Sequence, residues 1–294
     1  MLKSLSVIAL VGLTHAALAQ TAGNLVSDAR AAYNADAPAE CVRLYGQVFE
    51  RSAGTSRTYY AAACCAALAD HPSLAFEYLH SAIEAGYRNV EWLERDSDLD
   101  ALRGDAEWVG VIAAAEGAHE AFLTSINRDL YDLYEADQAD RRTRPIDWDV
   151  VSRRDSVRRV AVGEMLLAGD VKTADDFYHA AMVYQHGESA ESFLLANLLT
   201  REAVRLDSSH APARQMIGMT HDRYLWNVGR PQVYGTQSRM AEDGLWTFEP
   251  FDPDAVTDEE RAAVGSLPLQ AKYDWLEQRN AAIRAERESR GLAP

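Results

Sequence analysis

The residues best equipped for chemistry lie in the second half of the chain, in four short groups. They are Asp137, Gln138 and Arg141 in DQADRR; Gln185 and His186 in QHG; Asp222 and Arg223 in HDR; and Tyr234, Gly235, Thr236 and Gln237 in YGTQ. Imidazole titrates near neutrality, so His186 is the natural acid or base, and Asp222 is the carboxylate that can orient it. The Arg223 guanidinium offers a planar fork matched to a carboxylate or phosphate. Gly235 permits a turn in which backbone N–H groups, the Thr236 hydroxyl and the Gln237 amide converge on one anion. Such a set suits a module that binds a small polar or anionic ligand. It equally suits a hydrolase or modifying enzyme in which His186 does the proton transfer and Arg223 clamps the substrate.

Each group also has a structural reading. A histidine in the last turn of a helix interacts favourably with the helix dipole, which accounts for His186 without any reaction. Arg223 lies on a partly apolar stripe with Met216 and Thr220, so burial would oblige it to pair, with Asp137 or Asp155 as the obvious acids. Tyr234 can simply tuck beneath the helices. His179 and His186 are about 10 Å apart along a helix axis, too far to share a metal. The chain has no Ser-His-Asp order, glycine-rich phosphate loop or HExxH motif, and nothing in it asks for a metal or cofactor. Asp175 and Asp176 read as first-turn helix charges.

The elements that must position these groups are helical. TADDFYHAAMVYQHG and SAESFLLANLLTREAVRLD are both helix patterns, with Thr173 and Asp176 spaced as an N-cap pair and Gly187 as a helix stop. Further helices are expected over about Ala211–Val228 and Leu269–Arg290, and over Ala118–Ala139 as a link between halves. Gly229, Pro231 and Gly235 make GRPQVYGTQ a loop. Between Arg141 and Arg159 seven arginines face Asp147, Asp149 and Asp155, and Pro145 interrupts any helix there. That stretch is either a solvated patch paired with nearby acids or an anion site or dock for an acidic partner. From about Asp129 to Tyr273 the order DQADRR, QHG, DR, YGTQ resembles a bacterial domain family of unknown function, often exported or fused to repeats. The resemblance implies candidate positions and no established chemistry. His221, before Asp222 and Arg223, departs from its pattern.

The first half repeats. Ala35-Asp36-Ala37-Pro38 recurs 34 residues later as Ala69-Asp70-His71-Pro72, the period of tetratricopeptide (TPR) helical hairpins, whose apolar stripes are hidden by stacking. The pairs read as 25–35 with 38–50 and 56–69 with 72–85. After Gly86 the chain resembles a tail found behind such repeats in many bacterial proteins, with Trp92, Leu99, Leu102 and Trp108 expected to cap the open end. Cys41, Cys64 and Cys65 are the only cysteines. Cys41 can bridge to either of the others in an oxidising compartment, or all three can serve as small buried residues at a tight helix contact.

The expected fold is therefore all-α: TPR-like hairpin repeats over 24–118, followed by a second helical domain over 119–294 that carries the Gly/Pro loop. Residues 1–19 read as a cleaved signal peptide, with Lys3, an apolar run from Leu5 to Leu13 and Ala17-Leu18-Ala19 at the cleavage site. That places the protein in the periplasm or outside the cell, with no membrane insertion after cleavage. A net charge of −16 argues against nucleic acid and anionic membrane surfaces. The expected partners are a protein or peptide on the repeats and a small polar ligand behind them.

Overall fold

A computed structural model describes residues 23–291; the expected signal segment lies outside the described residues. The fold is all-α, and the chain divides into two compact units between Leu123 and Thr124. Among the described residues no helix is long and apolar enough to cross a membrane.

The first unit is a stack of helical hairpins: α1 (23–34), α2 (Pro38–Arg51), α3 (Ser56–Leu68) and α4 (Pro72–Glu84). The repeated Ala-Asp-x-Pro is the turn inside each hairpin. Asp36 and Asp70 hold left-handed backbone at φ 54° and 60°, a conformation that aspartate tolerates better than most residues. The next residue's N–H then reaches back five residues, Ala37 to the Ala32 carbonyl and His71 to the Ala66 carbonyl. This closes the helix end in a Schellman arrangement. Pro38 and Pro72 start the following helix where no N–H is needed. A short α5 (Val90–Arg95), a 3-10 turn (Ser97–Leu102) and α6 (Ala106–Ser125) follow. Leu99, Leu102 and Trp108 pack against Phe76 and Leu79 as a cap. Trp92 does not join them: it stays exposed, and its Nε1 donates to Asp96 at 3.0 Å.

Cys41 and Cys65 form a disulfide between α2 and α3, with Cα atoms 5.9 Å apart. Helix geometry makes the choice between the adjacent cysteines, because consecutive residues point about 100° apart. Cys65 faces Cys41, Leu44 and Val48, whereas Cys64 faces Phe76 and Leu79 and stays free. A bridge closing a 24-residue separation is expected to stabilise the first unit by about 3–4 kcal/mol. Reduction should therefore lower that unit's melting midpoint by roughly 10 °C in a calorimetric scan with and without reductant, and a change below 2 °C would count against it.

The second unit contains α7 (Arg128–Arg142), α8 (Trp148–Ala168), α9 (Ala174–Gln185), α10 (Ala190–Leu206) and α11 (Ala211–Asn227) around Leu130, Val162, Val183, Leu199 and Met216. The helix expected over 118–139 is broken. Asn127 caps α7 by accepting from Leu130 N, and its own N–H donates to Asp176 Oδ1 at 2.7 Å, so α6 cannot run through. Thr173 and Asp176 form the anticipated capping box on α9. Beyond α11 the chain makes a two-residue hairpin of β1 (Arg239–Met240) and β2 (Trp246–Thr247), then α12 (Asp258–Ala263) and α13 (Leu269–Ser289).

Candidate functional site

The four polar groups of the second half are brought into contact. α7 carries Asp137 and Arg141 one turn apart on its inner face, and α9 ends with Gln185 and His186 beside them. Asp137 is fully buried. It accepts from His186 Nδ1 at 2.9 Å, from Arg141 Nη1 at 2.9 Å and from Gln138 Nε2 at 2.8 Å. An ionised carboxylate has only acceptors, so His186 Nδ1 is the donor in this contact, which fixes the orientation of the imidazole ring. Arg141 Nη2 also donates to Asp155 at 2.6 Å, Arg158 bridges Asp155 and Asp140, and Arg154 binds Asp140. Burial alone would push the Asp155 carboxyl up, but hydrogen bonds from Arg141 and Arg158 outweigh it and hold it below the ordinary range. Much of the arginine-rich stretch is thus an internal ion-pair ladder between α7 and α8.

Asp222 does not orient His186, contrary to the sequence expectation. It is fully buried on α11 and holds the following loop, accepting from Val233 N, Tyr234 N, Thr236 N and Thr236 Oγ1 at 2.8–3.0 Å. Of the loop donors expected to clamp a ligand, the Thr236 N–H and hydroxyl and the Gln237 amide are thus consumed inside the chain. The loop is held from other sides too. The Gln232 side chain pairs with both backbone groups of Gln237, Arg261 donates to the Val233 carbonyl, and Lys272 Nζ donates to the Gly235 carbonyl at 3.1 Å. Gly235 sits at φ +63°, and a Cβ there would stand only 3.1 Å from Phe251 and 3.3 Å from Lys272, so a side chain would be both strained and crowded. Tyr234 packs over Gly218 and edge-on to His221, where burial pushes the His221 imidazole pKa down and so favours its neutral form. Gly187 has ordinary φ and is not a left-handed stop; a Cβ there would collide with Ser192.

Arg223 joins the two halves of the site. Its Nη1 donates to the Gln185 carbonyl at 2.8 Å and its Nε to Gln237 Oε1 at 3.2 Å. Neither Asp137 nor Asp155 pairs with it, since both are taken by Arg141. Among the described residues the half-buried guanidinium thus has only neutral acceptors, and burial and the nearby Arg141 both lower its pKa. The Gln185 side-chain oxygen is buried without a hydrogen-bond partner among the described residues. The sequence pointed to Asp155 and to the arginine stretch that holds Arg158, but not to Asp140, whose partners Arg154 and Arg158 lie 14 and 18 residues away, beyond any helix-spacing signal. Nothing in the sequence marked Gln232, Arg261 or Lys272 as supports of the loop.

The first unit has its own cleft of about 420 Å³, lined by Arg30, Tyr33, Arg57, Tyr60, Cys64, Asp96 and Asp98. Arg30 and Arg57 are exposed there, with no hydrogen-bond or ion-pair partner among the described residues. Cys64, Asp96 and Asp98 bring their ligand atoms within 4.8 Å of one another, a group that can hold a metal ion. Each carboxylate already accepts a tyrosine hydroxyl, Tyr60 on Asp96 at 2.5 Å and Tyr33 on Asp98 at 2.6 Å, and burial pushes the Cys64 thiol up, favouring its protonated form.

No family model matches the chain, and no curated protein matches it. A functional reading therefore rests on the geometry of this chain.

Proposed function

We propose that this is an exported interaction protein whose second unit binds a small polar or anionic ligand at Arg223, while the hairpin repeats engage a protein or peptide. The observation that carries the ligand reading is the Arg223 guanidinium. It is half-buried, sits beside a second arginine, and makes its hydrogen bonds only to a carbonyl and an amide oxygen. A partly desolvated cation without a counter-ion favours an anion that supplies one. The open arginines in the repeat cleft favour an acidic partner segment. Export to the periplasm or medium accords with the disulfide and with the leader-like first residues.

A second reading is supported by the Asp137–His186 contact: an imidazole fixed by a buried carboxylate is the arrangement a general base needs. In that reading Asp137 takes the orienting role that the sequence suggested for Asp222.

Thermal melts against inorganic phosphate, sulfate and short mono- and dicarboxylates test the ligand reading. Any such anion at 100 times its Kd should raise the wild-type midpoint by roughly 5–10 °C and leave Arg223→Gln unmoved, the variant's circular dichroism being unchanged. Equal shifts in both proteins, or none in the wild type, would remove Arg223 as an anion site.

A further inference from the structure

Helix α8 is apolar on two opposite sides. Val151, Asp155, Arg158 and Val162 face the core. On the far side, at helical spacing, stand Val157, Val160 and Leu167, which are 70, 64 and 91% exposed. A surface helix buries one stripe and turns its charged face to water; here the outward stripe is itself hydrophobic. It also borders an open groove, walled by Gly163, Leu166 and Leu195, of about 850 Å³. Two charges interrupt the stripe, Arg153 and Glu164. Both are exposed, and neither has an ion-pair or hydrogen-bond partner among the described residues.

We propose that this face of α8 packs against α8 of a second copy of the chain, antiparallel about a two-fold axis. The register follows from the spacing. Positions 150, 153, 157, 160, 164 and 167 alternate steps of three and four, as a two-helix seam requires. Running the same stripe in the opposite direction sets Val157 opposite Val160 of the second copy and Val160 opposite its Val157. In that register Arg153 meets Glu164 and Glu164 meets Arg153, while Leu167 covers Val150. A two-fold contact demands this reciprocity, residue i on j and j on i. The unpaired charges are thus complementary only in the symmetric arrangement: two ion pairs close the ends of a four-valine centre. Shifting the register by one heptad would set a charge against a valine.

Sedimentation velocity on the full chain from about 1 to 200 µM tests this. The wild type should pass from monomer to dimer across that range. Val160→Asp, which places a carboxylate in both central layers, should remain monomeric throughout with unchanged circular dichroism. Arg153→Glu or Glu164→Arg alone sets like charges together at both ends and should weaken the dimer on the order of tenfold or more. The double variant Arg153→Glu with Glu164→Arg should restore wild-type association, because each swapped charge again meets its opposite. A wild type monomeric at 200 µM, or a dimer indifferent to Val160→Asp, would overturn the proposal. So would a double variant as weak as the single ones. None of these outcomes depends on Arg223 or on any ligand.

Discussion

Replacing Asp222 by alanine is expected to lower the melting midpoint of the second unit by about 10 °C or more. Three backbone N–H groups and the Thr236 hydroxyl converge on this fully buried carboxylate. Each buried donor left without an acceptor costs about 1–3 kcal/mol; with partial relaxation the sum is about 4 kcal/mol, or roughly 2–4 °C each for a unit of this size. The segment from Val233 to Gln237 should loosen first, because Asp222 is its tie to α11. Limited trypsin digestion reads this directly: cleavage after the exposed Arg239 should accelerate well before global unfolding. Asp222→Asn should fall between the two, since its one remaining acceptor oxygen cannot serve both sides of the loop. A shift under 3 °C with an unchanged digestion rate would show that Gln232, Arg261 and Lys272 hold the loop unaided.

The second large effect is expected at Asp137. Its carboxylate is the common acceptor for His186, Arg141 and Gln138, and no part of it reaches solvent. Removing one member of a buried charged cluster typically costs about 3–5 kcal/mol, because the charges left behind lose their compensation. Asp137→Ala should therefore destabilise the unit by that order, about 10 °C. Gln138→Ala, which removes only a donor from the same carboxylate, should cost far less. A second readout separates orientation from stability. In the wild type the His186 Nδ1 proton is held on a carboxylate and should give a protected imidazole N–H signal by NMR. Asp137→Asn should lose that signal even at temperatures where it remains folded. If the signal persists, some group other than Asp137 sets the tautomer.

The Ala-Asp-x-Pro repeat let the hairpins of the first unit be read from sequence. Its physical content is local: a left-handed aspartate, a backbone bond five residues back and a proline where no donor is needed all lie within one turn. The Thr173–Asp176 cap and the loop after α11 were readable for the same reason. Helix periodicity and turn chemistry depend on neighbours in the chain. The tail residues Leu99, Leu102 and Trp108 were also legible as core, whereas Trp92 was not. Its partner, Asp96, is a polar group that competes with burial.

What the sequence determined by itself is the all-α class, the repeated hairpins and the short roster of polar groups in the second half. Tertiary structure alone decided which acid serves which base. Asp137 and Asp222 look alike as residues. Their roles part because α7 runs beside the end of α9, while α11 runs beneath the loop that follows it. The same holds for the two adjacent cysteines, which one step of helix rotation sends into different cores. Pairing between elements far apart in the chain is fixed by packing direction and distance, and no local pattern encodes those. Arg223 is the clearest instance. Its need for partners could be read from composition, but its contact with neutral oxygens, leaving a charge uncompensated, exists only in three dimensions.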